Sequence, residues 1–392
     1  MKDARVQKLI QKERARQKRV VNLIASENYV SDDVLTALAS EFTNKYAEGY
    51  PGARYYGGNE VVDELERLTQ ERVLALFGLS SDEWSVNVQA LSGSPANFAV
   101  YYAAISVHGK IMGLELSHGG HLTHGHTVSA TGKLWTPVPY TLDPKTEQLN
   151  YGAIKKIAQK EKPDILVAGY TAYPRIVDWK KMREAANAGK ALFMVDMSHI
   201  AGLVAGRVYS SPFPYADVVT TTTHKTLRGP RAALIFTRKS GGDLHKKIDK
   251  AIFPSLQGGP HMNTIAGVAV ALKEAQSASF KKYAAQVVKN AKALAGELTK
   301  CGFRLVSGGT DTHLILVDTW RGGKGIGGAE ASERLEKSGI IVNKNTIPFD
   351  TRSPKDPSGI RLGTAAETTR GKKEKDMILL ARRIAHILKN DN

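Results

Sequence analysis

Residues 216–231 read ADVVTTTTHKTLRGPR, and residues 191–202 read ALFMVDMSHIAG. In the first stretch Val218 and Val219 run into four threonines and then His224–Lys225. In the second an apolar run ends in Asp196, with His199 three residues further on. Short continuous apolar runs of this kind predict strands buried on both faces. A lysine at the end of such a strand is partly desolvated, which lowers the pKa of its amine and makes it a nucleophile toward an aldehyde. Alone, Lys225 reads first as a surface lysine, and Asp196 as a helix N-cap. Together, at the ends of two strands, they can reach one ring at the mouth of an α/β sheet. Pyridoxal phosphate needs such a pair: an amine for its aldehyde, and an acid that keeps its pyridine nitrogen protonated so that the ring draws electrons.

Outward from these two strands the rhythm continues. IMGLEL, DILVAGY and AALIFTR are further apolar runs between about 85 and 240, separated by helical or loop stretches. That alternation predicts an α/β domain with a largely parallel sheet. Before it, residues 3–20 and 30–42 read as helices, and 60–77 as a helix with Val61, Leu65, Leu68 and Leu76 near one face. After it come long helical stretches over 260–300, then short strands, a helix over 328–338 and a last amphipathic helix with Met377, Leu380, Ile384 and Ile387 on one side. The organisation expected is an N-terminal helical arm (1–45), a large cofactor-binding domain (46–260) and a small α+β domain (261–392). No internal repeat is visible.

The phosphate of the cofactor needs a cradle. SGSPANFAVYYAAI, residues 92–105, supplies Ser92, Gly93 and Ser94 ahead of a helix expected to start at Pro95, where the free N–H groups favour an anion. SHGGHLTHGH holds His118, His121, His124 and His126. Its glycines make it a loop, and no cysteine or carboxylate completes a zinc pattern, so no metal is expected. His121 is the choice for a histidine stacked on the cofactor ring. GKGIGG at 323–328 matches G-x-G-x-x-G, but it lies late in the chain and reads as a flexible loop.

Composition narrows the setting. The 392 residues carry 55 basic and 38 acidic side chains, a net charge of +17, with eight basic and two acidic residues in the first twenty. Such a field attracts anions, yet no zinc-finger spacing or RNA-binding aromatic signature accompanies it, and nucleic acid is not expected as a primary partner. The one cysteine, Cys301, excludes an intrachain disulfide. No signal-peptide core or long apolar run is present, so a cytoplasmic protein without membrane association is expected.

Taken together, the segments resemble the serine hydroxymethyltransferase family. The resemblance runs from LIASENY at 23–29 to GIRLGT at 359–364 and includes NKYAEGYPGARYYGG, SGSPANFAVY, HGGHLTHG, VDMSHIAGLVA, TTTTHKTLRGPR, FPSLQGGP, SGGTDTHL and VNKNTIPFD. It implies fold type I, the aspartate-aminotransferase-like architecture: a large domain with a mostly parallel seven-stranded sheet, and a smaller C-terminal α+β domain. It implies pyridoxal phosphate as cofactor, tetrahydrofolate as co-substrate, and reversible conversion of L-serine to glycine. Lys225 would hold the cofactor covalently, with His224 beside it. Asp196 would pair with the pyridine nitrogen, His121 would stack on the ring, and His199 would bond near the 3-oxygen. Ser94, Gly93, Tyr46, Gly258 and Gly259 would hold the phosphate, and Thr171 would place a hydroxyl near the cofactor. Arg361 would clamp the substrate carboxylate, helped by Ser26 and Tyr56. Glu48 would move the serine hydroxyl proton and contact the folate, and Asn345, Leu116 and Gly120 complete the substrate-binding set. Tyr46 and the glycine loop would reach across the interface of a homodimer.

The chain departs from the family pattern at Ala90, Leu91, Pro95, Ala232 and Ala233, and in GTAAET at 363–368. Two rivals remain: a folate-independent threonine or β-hydroxy-amino-acid aldolase of the same fold, and RNA binding by the basic surface as a second activity.

Overall fold

A computed structural model describes residues 2–389. Met1 and residues 390–392, the outer ends of the expected arm and small domain, lie outside the described residues. The chain packs as two units, Asn28–Ala285 and a second made of Met1–Glu27 with Gln286–Asn392.

The Asn28–Ala285 unit is built on a sheet of seven strands among the described residues. Their order is Trp84–Asn87, Ala233–Arg238, Val218–Thr222, Leu192–Asp196, Ile165–Ala168, Lys110–Leu114 and Thr136–Tyr140. Ala233–Arg238 runs against both its neighbours, and the other pairings are parallel. Val218–Thr222 and Ile165–Ala168 are buried along their whole length, as strands covered on both faces must be. Tyr101, Ile111, Ile165, Val167, Met194, Val218 and Ile235 share one core.

Two of these strands have no counterpart among the apolar runs. Thr136–Tyr140 is TPVPY, whose prolines argue against a central strand. It lies at the sheet edge with Pro137 and Pro139 exposed and Val138 and Tyr140 buried, so the missing N–H groups leave no ladder bond unmade. The helix Glu60–Phe77 has the expected bounds but not the expected face. Val61 is 64% exposed, while Val62, Glu66, Thr69, Val73 and Leu76 are buried. Hydrophobicity misplaces the face because a buried glutamate and threonine belong to it.

Asp32–Leu38 packs on Met262–Ala275, so parts of the expected arm and of the expected small domain join the large unit, whose boundary falls at Ala285. The second unit carries a four-stranded antiparallel sheet ordered Arg304–Leu305, Leu314–Asp318, Gly359–Gly363 and Asn343–Asn345. Its core gathers Leu294, Leu298, Ile315, Val317, Leu335, Ile360 and Leu362 with Met377, Leu380 and Ile384 of the last helix. Ala4–Arg19 is a helix with no buried residue. Among the described residues no helix is long and apolar enough to cross a membrane.

Candidate active site

Asp196 ends its strand in register with Thr220 of the neighbouring strand, which leads through Thr223 and His224 to Lys225. The carboxylate is 9% exposed. Its Oδ1 accepts the Ser198 N–H at 3.1 Å, and its Oδ2 accepts from the Asn97 amide at 2.9 Å and lies 3.3 Å from His124 Nε2. Burial pushes this acid up, but the His124 hydrogen bond and charge, the His121 charge and the Asn97 bond outweigh it. The net result is an ionised carboxylate, held well below the ordinary range.

Asn97 is the centre of this cluster. Its amide also donates to Thr123 Oγ1 at 2.9 Å, and its carbonyl accepts the Thr220 hydroxyl at 2.7 Å. Thr123 in turn lies against His121: its N–H donates to Nδ1 at 3.2 Å, and its hydroxyl is 2.7 Å from the same nitrogen. A backbone N–H is a fixed donor, so Nδ1 accepts and a neutral His121 carries its proton on Nε2. Burial first, then the charges of His124 and Lys225, lower His121 to about 4 against the pull of Asp196. Burial, Lys225 and Arg231 likewise lower His224 to about 3.

The Lys225 carbonyl accepts from the Asn28 amide at 2.9 Å and from the Arg228 N–H at 3.1 Å, which fixes the backbone of the turn. His199 is buried, and its carbonyl accepts the Thr226 hydroxyl at 2.8 Å. The helix expected to begin at Pro95 begins at Gly93, with Ser92 as its N-cap, so Pro95 is the third helical residue. The N–H groups of Gly93 and Ser94 are left open by helix geometry. A Cβ at Gly93 would lie 2.8 Å from Thr222 Cγ2, so this helix start sits against the strand that leads to Lys225. Thr171 donates its N–H to Gly119 at 2.9 Å, and the turn after Lys110–Leu114 holds Leu116 and a buried Gly120.

A second group lies in the same unit. The Tyr46 hydroxyl donates to Glu48 Oε1 at 3.2 Å, and the Tyr46 ring meets Tyr56 edge-on at 5.2 Å. Cβ atoms built on Gly258 and Gly259 would lie 3.1 Å from Glu48 Oε1 and 3.3 Å from the Tyr46 ring. Tyr46 and Tyr56 are about half exposed, and the Glu48 hydrogen bond and charge raise the Tyr46 phenol.

In the second unit Arg361 is centred on its strand, opposite Leu316 and Asn343, and is buried. Its Nε donates to Asn343 Oδ1 at 3.1 Å, and burial lowers it to about 10, still a cation at neutral pH. A Cβ at Gly363 would lie 2.3 Å from Ala25 Cα, so the chain leading into half-buried Ser26 crosses the strand two residues from Arg361. Asn345 donates its amide to the Thr346 carbonyl at 2.7 Å.

Sequence reading leaves out Asn97 and Thr123, and names His124 without giving it a role beside Asp196. The one signal for Asn97 is a polar residue inside the otherwise apolar helix Gly93–Ala104. Among the described residues no group of three or more His, Cys, Asp or Glu is arranged to hold a metal ion.

The family model for serine hydroxymethyltransferase matches residues 1–384. The chain belongs to the serine hydroxymethyltransferase family. It is 52% identical over 388 residues to a serine hydroxymethyltransferase of Desulfotalea psychrophila, covering 99% of this chain and 89% of that one. It is 51% identical to serine hydroxymethyltransferase 3, chloroplastic, of Arabidopsis thaliana, over 97% of this chain and 73% of the relative. A probable cytosolic serine hydroxymethyltransferase of Schizosaccharomyces pombe is 50% identical over 96% of this chain and 83% of its own. Members of this family are fold type I, pyridoxal-phosphate-dependent transferases with tetrahydrofolate as co-substrate, and the mostly parallel seven-stranded sheet is the architecture that fold requires. Serine hydroxymethyltransferase membrership thereby supplies the reaction class, serine to glycine with one-carbon transfer.

Proposed function

We propose that Lys225, Asp196, His121, Arg361 and Glu48 carry out the serine–glycine interconversion. The observation that carries the assignment is the buried, ionised Asp196 at one strand end, beside the strand that leads to Lys225.

The residues fit pyridoxal phosphate. Open N–H groups at Gly93 and Ser94 suit a phosphate, and Thr222 offers a buried hydroxyl, with no protein partner, next to them. The His224 Nδ1 is likewise buried without a partner. Asp196 would keep a proton at the pyridine nitrogen, because an ionised carboxylate stabilises a cation beside it. His121, neutral at physiological pH, would face the ring without repelling that cation. When bound, the cofactor supplies an aldehyde that captures amines and a ring that draws electrons from the bond being broken.

Lys225 would hold the cofactor through its amine, with His224 beside it, and His199 and Thr171 would help to hold the ring. Arg361 binds the carboxylate of serine or glycine, since a planar guanidinium matches it with two parallel hydrogen bonds, and Ser26 and Tyr56 assist. Glu48 takes the proton from the serine hydroxyl and returns it in the reverse direction. The released unit, at the formaldehyde level, passes to tetrahydrofolate, with Asn345 at the pteridine ring and Leu116 and Gly120 in the substrate-binding set. Tyr46, Gly258 and Gly259 complete the phosphate site of a second copy. The exposure of Tyr46, Tyr55 and Tyr56 supports a homodimer that covers them. Within this reading the enzyme is cytoplasmic and nucleic acid is not its primary partner.

The test is the visible absorption of the protein loaded with pyridoxal phosphate. The band should shift to the red only when glycine and tetrahydrofolate are both present, and Lys225→Ala should lack the starting band. A band that responds to glycine but ignores folate would instead favour an aldolase.

A further inference from the structure

The segment that carries Tyr46 and Glu48 is held by a buried ionic network that the roles above do not use. Arg54 Nη1 donates to the carbonyls of Ala47 at 2.8 Å and of Gly49 at 2.7 Å, the two residues on either side of Glu48. Its Nε donates to Asp63 Oδ1 at 2.8 Å, and its Nη2 to Glu66 Oε2 at 2.6 Å. The side chains of Arg54 and Glu66 are 4% and 0% exposed. Gln89 completes the set, donating to the Gly49 carbonyl at 3.0 Å and lying 2.9 and 3.1 Å from the two Glu66 oxygens.

The same network touches the glycine loop. Gln257 donates its amide to the Gln89 carbonyl at 2.8 Å and accepts the Leu91 N–H at 3.1 Å. Gly258 follows directly, and Glu48 lies beside it. The backbone around Glu48 has no slack. Gly49 has φ +94, and a Cβ there would sit 2.3 Å from the Ala53 carbonyl. A planar guanidinium is the one side chain that can reach two carbonyls and two carboxylates from a single fixed plane. Burial raises the Glu66 carboxyl although the Arg54 charge and hydrogen bond pull it down, so this buried acid depends on Arg54 as its partner.

We propose that Arg54, backed by Glu66 and Gln89, is the positioning residue that aims Glu48 at the hydroxyl proton of serine. The proposal rests on the assignment of Glu48 made above. It has a selective consequence, because serine has a hydroxyl proton to move and glycine has none. The network therefore governs serine cleavage and synthesis, and leaves exchange of the glycine α-proton with solvent untouched.

The experiment compares holoenzyme variants in two reactions: serine turnover with tetrahydrofolate, and α-proton exchange of glycine in heavy water followed by NMR. Arg54→Lys keeps the charge and loses the fork. It should lower kcat for serine by about 100-fold, the scale of a 1 Å misplacement, with KM and glycine exchange near wild type. In a Glu48→Gln background the same change should cost nothing further, because it acts through Glu48. Gln89→Met, which keeps the side-chain length, should show the same selectivity in smaller measure and serves if Arg54→Lys does not fold. Equal loss in both reactions, or losses that multiply in the double variant, would overturn the proposal. Glu48→Gln with full serine turnover would instead overturn the Glu48 assignment, and that result is read without touching Arg54.

Discussion

The side-chain amide of Asn97 lies 2.9 Å from Asp196 Oδ2. This bond ties the helix Gly93–Ala104 to the strand end that carries the acid. The other Asn97 bonds reach Thr123 and Thr220, so one side chain sets the acid, the support of His121 and the spacing between two strands.

Asn97→Asp places a second carboxylate against Asp196 and should raise the pKa of the pair. Weaker cofactor binding is expected, measured as a higher dissociation constant for pyridoxal phosphate. Asn97→Ala leaves the Thr220 hydroxyl and Asp196 each short of a partner, at a cost of ~1–3 kcal/mol per group. Urea unfolding of Asn97→Ala checks that cost.

Stability should fall in mild acid. The His224 imidazole is lowered from 6.5 to about 3, and that of His121 from 6.5 to about 4. Between those values and 6.5 the unfolded chain binds protons that the folded chain refuses, so stability rises with pH across the window and levels off above it. The urea midpoint should drop between pH 7 and pH 5, and His224→Asn should show a shallower drop. An equally steep fall in the variant would show that His224 is not a source of the effect.

Arg361→Lys keeps a cation but loses the planar fork. One charged hydrogen bond is worth ~1.5–3 kcal/mol, so KM for serine should rise roughly 10- to 100-fold. KM for tetrahydrofolate should stay unchanged in the same steady-state assay.

Gly169 follows the strand Ile165–Ala168 at φ +124, and a Cβ there would lie 1.9 Å from the Asp196 carbonyl oxygen. Gly169→Ala must force the two strand ends apart, so it should destabilise by more than about 1 kcal/mol. Because Asp196 moves with its strand, cofactor affinity should fall together with the thermal midpoint. Loss of stability with unchanged affinity would separate the two.

The sequence by itself determined the alternating α/β plan, the two strand ends that bear Lys225 and Asp196, and the family, because continuous apolar runs and long motifs are local in the chain. The helix Glu60–Phe77 was equally legible in its bounds, since helix length follows from propensity and from the left-handed Gly78 that ends it. Its buried face was not legible: Glu66 turns inward only because Arg54 and Gln89 meet it there. Thr136–Tyr140 needed the sheet to make its prolines acceptable, since an edge strand has one side without a ladder. Asn97, Thr123, His124 and Asp196 stand up to 99 residues apart in sequence, as Asn97 and Asp196 do. Only the tertiary structure brings such residues within hydrogen-bond distance, because burial leaves each polar group dependent on whichever partner the packing delivers.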